Sequence, residues 1–367
     1  MKKLKKSLLL CLILTIFMNV IIYFAPIKVS ANTTTSEVVI ERDSLRILHA
    51  KNENEKMENA STTKIVTAIC VIENCNLFDE VVIGEESVGI EGSSIYLHVG
   101  DERTVEELLF GLMLQSGNDA AHALATFVGG SIEKFARMMN ALAIKCGAVN
   151  SNFVNPHGLH DDNHYTTAKD LALITCYALK NPVFSKIVST KKVAFGDRVY
   201  LNKNKMLTSF DGADGVKTGF TKHSGRCLVT SATRDKMQLV SVVLNSSNMY
   251  ECSAELLNKS FNEYSFCEVV KKGEKIGSVD KSNLNKTVIL NKGLKIPLRE
   301  NERENLKIVF KNTHISGNEI NIGDLVGELI IYNGEKIIFS SKMYAVNVFD
   351  DCVYVQMLFK NFNKLKI

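Results

Sequence analysis

Arg226-Cys227-Leu228-Val229-Thr230-Ser231-Ala232-Thr233, then Arg234-Asp235-Lys236, then Met237-Gln238-Leu239-Val240-Ser241-Val242-Val243-Leu244 are two β-branched runs about a polar break, and they read as a hairpin. Upstream, 190–200 and 214–219 are also short, β-branched and bounded by turn residues. Near the start, 37–50 reads as two strands about a turn at Arg42-Asp43-Ser44. Between these strands the period is helical. In 61–73, Ile65, Ala68, Ile69 and Ile72 share one face. Further helices are predicted over 104–114, opened by the capping-box pair Thr104 and Glu107, and over 117–128, 131–146 and 167–180. Another follows at 249–264. The order predicts an α+β fold: an antiparallel sheet whose helices arrive largely as one block between its first strand pair and the rest.

From about 265 the texture changes to short apolar runs, Thr287–Leu290, Leu306–Phe310, Glu328–Tyr332, Lys336–Phe339 and Val353–Phe359, between Gly, Asn and Lys-rich turns. That pattern predicts a small all-β domain over 265–367, after a larger domain over 32–264. Residues 1–31 read as a signal peptide: Lys2, Lys3, Lys5 and Lys6, an apolar run from Leu8 to about Phe24, then Val29-Ser30-Ala31. The run approaches a spanning length, so a retained anchor is the other reading, and both put the rest of the chain outside the cytoplasmic membrane. Five of the 44 basic residues lie in that segment, which leaves 39 against 40 acidic ones. A near-neutral body gives no support to a nucleic-acid partner. Cys11 would leave with the leader. The other eight cysteines are scattered, without Cys-x-x-Cys or zinc spacing, and read as buried thiols.

Three short motifs carry the chemistry. In Ser61-Thr62-Thr63-Lys64 a helical turn brings Ser61 and Lys64 to one face. A serine hydroxyl needs a base to become a nucleophile, and a lysine amine serves once burial and positive neighbours lower its pKa. A helix N-terminus adds N–H groups for a developing oxyanion. In Ser116-Gly117-Asn118, set in a break between helices, Ser116 can relay a proton to a leaving amine. Asn118 can bind a substrate amide and orient the lysine. In Lys217-Thr218-Gly219 a strand edge can pair with an extended peptide, Lys217 and Thr218 can hold a terminal carboxylate, and Gly219 can let the substrate come close. Each motif alone is commonplace, since a capping Ser often precedes a surface Lys. His157 and His164 lack acidic or Cys companions at metal spacing and read as loop packing, so no metal and no cofactor are expected.

In this order the motifs match the signature of class A β-lactamases and penicillin-binding proteins, with Gly117 in place of its Asp. The resemblance widens to low-molecular-weight penicillin-binding proteins that act as serine D-alanyl-D-alanine carboxypeptidases (peptidase family S11). It is carried by Met57–Lys64, Gly92-Ser93-Ser94-Ile95-Tyr96-Leu97, Gln115–Ala121, Asn155-Pro156-His157-Gly158-Leu159, His164–Ala168, and Asp214–Thr221 with Gly225, and it spans about 36–264. It implies a penicillin-binding/β-lactamase-like sheet and helical block. It also implies acylation of Ser61 by the penultimate D-Ala of a peptidoglycan stem peptide, with Lys64 as base and Ser116 as proton relay. Asn118 would position the peptide, Lys217 and Thr218 would bind its carboxylate, and the N–H groups of Ser61 and Phe220 would form the oxyanion hole. β-Lactams are the implied inhibitors, and peripheral membrane association is a further family expectation, although the ending Asn361–Ile367 is short for it. One departure stands out: relatives commonly carry an arginine on the helix after the last core strand, where this chain has Cys252 or a neighbour, and Asn245–Leu257 holds no Lys or Arg. A class A β-lactamase is the rival reading, but it needs a deacylating glutamate, and none occurs between Glu133 and Glu251. A transpeptidase would carry the same motifs, and so would a non-catalytic wall-associated protein on the same fold.

Overall fold

The structure, a computed structural model, describes residues 36–281, 284–313 and 319–357. The leader expected over 1–31 and the ending 361–367 lie outside the described residues.

Strands β1 (Ser36–Glu41) and β2 (Ile47–Lys51) form the first hairpin. A 3-10 turn, Ala60–Thr63, runs into helix α1 (Lys64–Ile72), so Ser61 sits on the tight turn and the α-helix itself begins at Lys64. A short pair follows that the sequence did not announce, β3 (Glu80–Val82) with β4 (Glu102–Thr104). The helix expected over 104–114 divides into α2 (Val105–Phe110) and a π-turn, Gly111–Gln115. Then come α3 (Asn118–Gly129), α4 (Ile132–Lys145), α5 (Ala168–Ala178) and α6 (Pro182–Ser189). Thr104, Ser131 and Thr167 each accept the N–H three residues on, the N-cap bond that satisfies a donor left free by the first helical turn. The strand expected over 190–200 is a hairpin, β5 (Lys192–Phe195) and β6 (Arg198–Leu201), because Gly196 turns the chain at φ +58.

The short helix α7 (Met206–Ser209) leads to β7 (Ala213–Thr221), β8 (Gly225–Arg234) and β9 (Met237–Leu244), and α8 (Met249–Glu263) follows. The main sheet has the order β2-β1-β9-β8-β7, antiparallel throughout. Strand β9 is central and buried along its whole length. Val240, Val242 and Leu244 face the helical block with Ile65, Ile69 and Leu171, while Leu239 and Val243 pack against Cys252, Leu256 and Leu257 of α8. Cover on both faces is why this strand reads as a near-continuous apolar run. Strand β7 is the edge, and it carries Lys217, Thr218 and Gly219.

Strands β10 (Ser265–Val270), β11 (Lys275–Lys281), β12 (Leu284–Leu290), β13 (Leu294–Leu298), β14 (Leu306–Asn312), β15 (Leu325–Asn333), β16 (Lys336–Val348) and β17 (Cys352–Met357) follow among the described residues. β10 pairs with β13, and the rest form a six-stranded sheet, β11-β12-β17-β16-β15-β14, in which only β12 and β17 run parallel. Val288, Leu329, Ile331 and Val353 fill a core of their own. The two regions are nonetheless tied: Arg46 donates to the carbonyl of Pro297 and to Glu302 Oε1, and the guanidinium groups of Arg46 and Arg299 lie 5.4 and 4.8 Å from the centroid of the Tyr264 ring. Among the described residues no single helix is long and apolar enough to cross a membrane.

Candidate active site

The three motifs meet where the 3-10 turn, the break after the π-turn and the edge of β7 come together. Lys64 Nζ is fully buried and lies 2.9 Å from Ser61 Oγ, 2.7 Å from Asn118 Oδ1 and 2.8 Å from the carbonyl oxygen of His157. Its orientation is enforced from behind. Asn118 Nδ2 donates to the carbonyl of Glu91, so its Oδ1 is the atom turned to the lysine. Burial, and next the positive charge of Lys217, hold the Lys64 pKa well below the usual amine value, and Asp119 opposes this only in part.

Ser116 takes the left-handed conformation at φ 65, whereas the neighbouring Gly117, which a helix C-cap reading would have placed there, has φ −58. The Ser116 hydroxyl has no hydrogen-bond partner among the described residues and is nearly buried, which suits a group held for a transient proton. Asp119, next to Asn118, accepts from Ser94 Oγ at 2.5 Å and from the N–H groups of Ile95 and Leu97, fixing the loop that forms one wall.

On the opposite wall Lys217 is buried, and burial, with Lys203 nearby, lowers its pKa to about 7. Gly219 faces the turn that carries Ser61. A Cβ there would lie 3.1 Å from Asn59 O, Ser61 N and Thr62 N, so the space is taken by the nucleophile turn. Glycine here permits the close approach of β7 to that turn. Thr218 is half-buried and Phe220 is exposed on the same edge.

Several contributors were invisible in the sequence. The carbonyls of His157 and Glu91 are backbone atoms and carry no side-chain signature. Lys203 donates to the carbonyl of Gln115 at 2.7 Å and lowers the pKa of both Lys64 and Lys217, yet in sequence it is one lysine of a polar run. His164 is buried, accepts from Val154 N–H through Nδ1, and meets Thr63 Oγ1 at 2.8 Å through Nε2. Burial brings His164 to about 4 and His157 to about 3, so both are neutral packing groups. At the position where an arginine was expected, the Cys252 thiol points at Glu37 Oε2, 3.2 Å away.

The profile of the D-alanyl-D-alanine carboxypeptidase family, peptidase S11, matches residues 25–248. The chain is 31% identical over 332 residues to D-alanyl-D-alanine carboxypeptidase DacF of Bacillus subtilis (strain 168), covering 86% of this chain and 85% of that one. Its structure is similar to penicillin binding protein 5 from Haemophilus influenzae, with TM-score 0.73, 27% identity, and 86% and 97% of the two chains covered. It is also similar to the Streptomyces K15 DD-transpeptidase, with TM-score 0.60, 32% identity, and 62% and 97% covered. With a buried lysine set against a serine at the edge of an antiparallel sheet, and with these likenesses, this chain belongs to the D-alanyl-D-alanine carboxypeptidase family of serine peptidases.

Proposed function

We propose that the protein is a serine-type D-alanyl-D-alanine carboxypeptidase that removes the terminal D-Ala from peptidoglycan stem pentapeptides through an acyl-Ser61 intermediate. The observation that carries the reading is the hydrogen-bond geometry at Lys64 Nζ. A neutral amine has two N–H groups and one lone pair. Asn118 Oδ1 and the His157 carbonyl only accept, so they take both N–H groups, and the lone pair is left for the Ser61 hydroxyl.

In this mechanism Lys64 takes the hydroxyl proton as Ser61 Oγ attacks the penultimate D-Ala carbonyl. The N–H groups of Ser61 and Phe220 hold the oxyanion. The proton passes by way of Ser116 to the leaving nitrogen, terminal D-Ala departs, and water then cleaves the ester. The reading includes export by the 1–31 leader and work at the wall side of the cytoplasmic membrane, with domains over 32–264 and 265–367. β-Lactams would acylate Ser61 and leave slowly, since no glutamate lies between Glu133 and Glu251 to activate water. Purified protein should release D-alanine from a D-Ala-D-Ala peptide and bind labelled penicillin, and Ser61→Ala should lose both. An intact peptide, with Ser61→Ala labelled as well as the parent, would sink the reading. An added amino-acid acceptor in the same assay separates hydrolysis from transpeptidation.

The substrate carboxylate needs a cation more permanent than Lys217. We assign that part to Arg226. It pairs with Phe220 across β7 and β8, hence shares a sheet face and a diagonal position with Thr218, which pairs with Leu228. It is exposed, lies 5.8 Å from the Phe220 ring, and has no carboxylate partner among the described residues. Arg226→Ala is expected to lower kcat/KM for a free-carboxylate peptide by roughly 10–100-fold, the worth of a charged hydrogen bond. A thioester donor without the carboxylate should be spared. Equal losses on both substrates, or none, would remove Arg226 from this role.

A further inference from the structure

Glu58, His160 and His223 play no part in the chemistry above, yet one donor atom from each lies within 4.8 Å of the others. They come from three separate segments. Glu58 precedes Ser61 by three residues, His160 follows His157 by three, and His223 follows Phe220 by three. The imidazole rings of His160 and His223 stack with centroids 4.0 Å apart and planes 7° apart. His160 Nδ1 lies 2.8 Å from Glu58 Oε1, and its Nε2 is 3.8 Å from the exposed Asp162 carboxylate.

We propose that Glu58, His160 and His223 form a binding site for a borderline transition-metal ion, with Zn2+ as the leading candidate, that ties the nucleophile segment to the 155–164 loop and to the β7–β8 turn. Two imidazole nitrogens and one carboxylate, with a coordination position left to water or Asp162, are the donors that Zn2+, Co2+ and Ni2+ prefer. The hard ions Mg2+ and Ca2+ ask for more oxygens. Parallel rings aim their lone pairs side by side, so coordination requires them to turn out of the stack. Both rings are exposed, and His160 is held at Glu58 by the 2.8 Å contact of its Nδ1.

The site was unreadable in the sequence because its members are 102 and 63 residues apart, with none of the short spacings that mark local metal motifs. Its consequence follows from its connections. The loop it would anchor supplies the His157 carbonyl to Lys64 Nζ, so a bound ion would stiffen the acceptor that orients the base. The binding claim itself does not rest on the peptidase reading.

The test uses the full chain, stripped with chelator and titrated with ZnCl2 by calorimetry, with CoCl2 absorption as a second probe of coordination. One equivalent should bind, and the thermal midpoint should rise with added Zn2+, as expected for a ligand of the native state. His160→Ala and His223→Ala should each weaken binding by about tenfold or more, with the fold intact. Absence of stoichiometric binding, or equal affinity in both variants and the parent, overturns the proposal. Failure of D-alanine release with zinc binding intact would instead count against the peptidase reading alone.

Discussion

Lys64→Ala is expected to lower the rates of penicillin acylation and D-alanine release by about 10³–10⁴-fold, toward the upper end of what general base catalysis supplies. Lys64→Arg should be nearly as inactive. It keeps the positive charge but stays protonated and has no lone pair to offer Ser61. The contrast matters because a purely structural lysine would be replaced by arginine with some success. The pH dependence gives a second readout, and its sign follows from the two roles. Lys64 works as a base only when neutral, so acylation rises with pH through its lowered pKa. Lys217 binds carboxylate only when protonated, so its hold on the substrate carboxylate weakens as pH passes about 7. Stopped-flow labelling over a pH series checks both limbs. An alanine variant within tenfold of the parent, or one that keeps the acid limb, would show that another group takes the Ser61 proton.

What could be read from the chain beforehand follows from where each signal resides. Helices α3, α4, α5 and α8 were legible because each pairs an apolar stripe with an end marked by a cap or a turn. The hairpin of β8 and β9 was legible from its polar break. Helix α6 was not, although its start, Asn181-Pro182, carries a cap and a Pro at the first helical position. Its eight residues are too few for the period to stand out from the strand that follows. The π-turn before Ser116 is likewise a matter of backbone path, set by tertiary packing. Ser61, Lys64, Ser116, Asn118 and Lys217 stood out by their order along the chain. The groups that aim them did not, because two are carbonyl oxygens and Lys203 is brought in from a hairpin end by the fold. Sequence order picks out the candidate residues, while their support depends on distances that only the folded chain has.

That support has a second weak point, and Gly158→Ala is expected to expose it. Gly158 adopts φ +83, and a Cβ there would lie 1.9 Å from Ala60 O, 2.4 Å from Ala60 C and 2.7 Å from Thr63 Oγ1. Two of these are backbone atoms of the nucleophile turn, and Thr63 is held by its 2.8 Å contact with His164, so no side-chain swing relieves the clash. Either the 155–164 loop or the turn must move by about an ångström, and a shift of that size at reacting groups costs on the order of 10²-fold in rate. The His157 carbonyl is one residue away, so its 2.8 Å bond to Lys64 Nζ is the first to be lost. Strain of this kind belongs to the roughly 2–4 kcal/mol class of point changes, and a thermal midpoint lower by about 5–15 °C should accompany it. Gly130→Ala is the control. It has a similar φ of +70 but nothing within 4 Å of the added Cβ, so it carries only the backbone term, about 1 kcal/mol, and acylation should stay at the parent rate. If Gly158→Ala labels with penicillin as fast as Gly130→Ala does, then the loop does not set the position of Ser61 and Lys64, and the His157 carbonyl is a bystander.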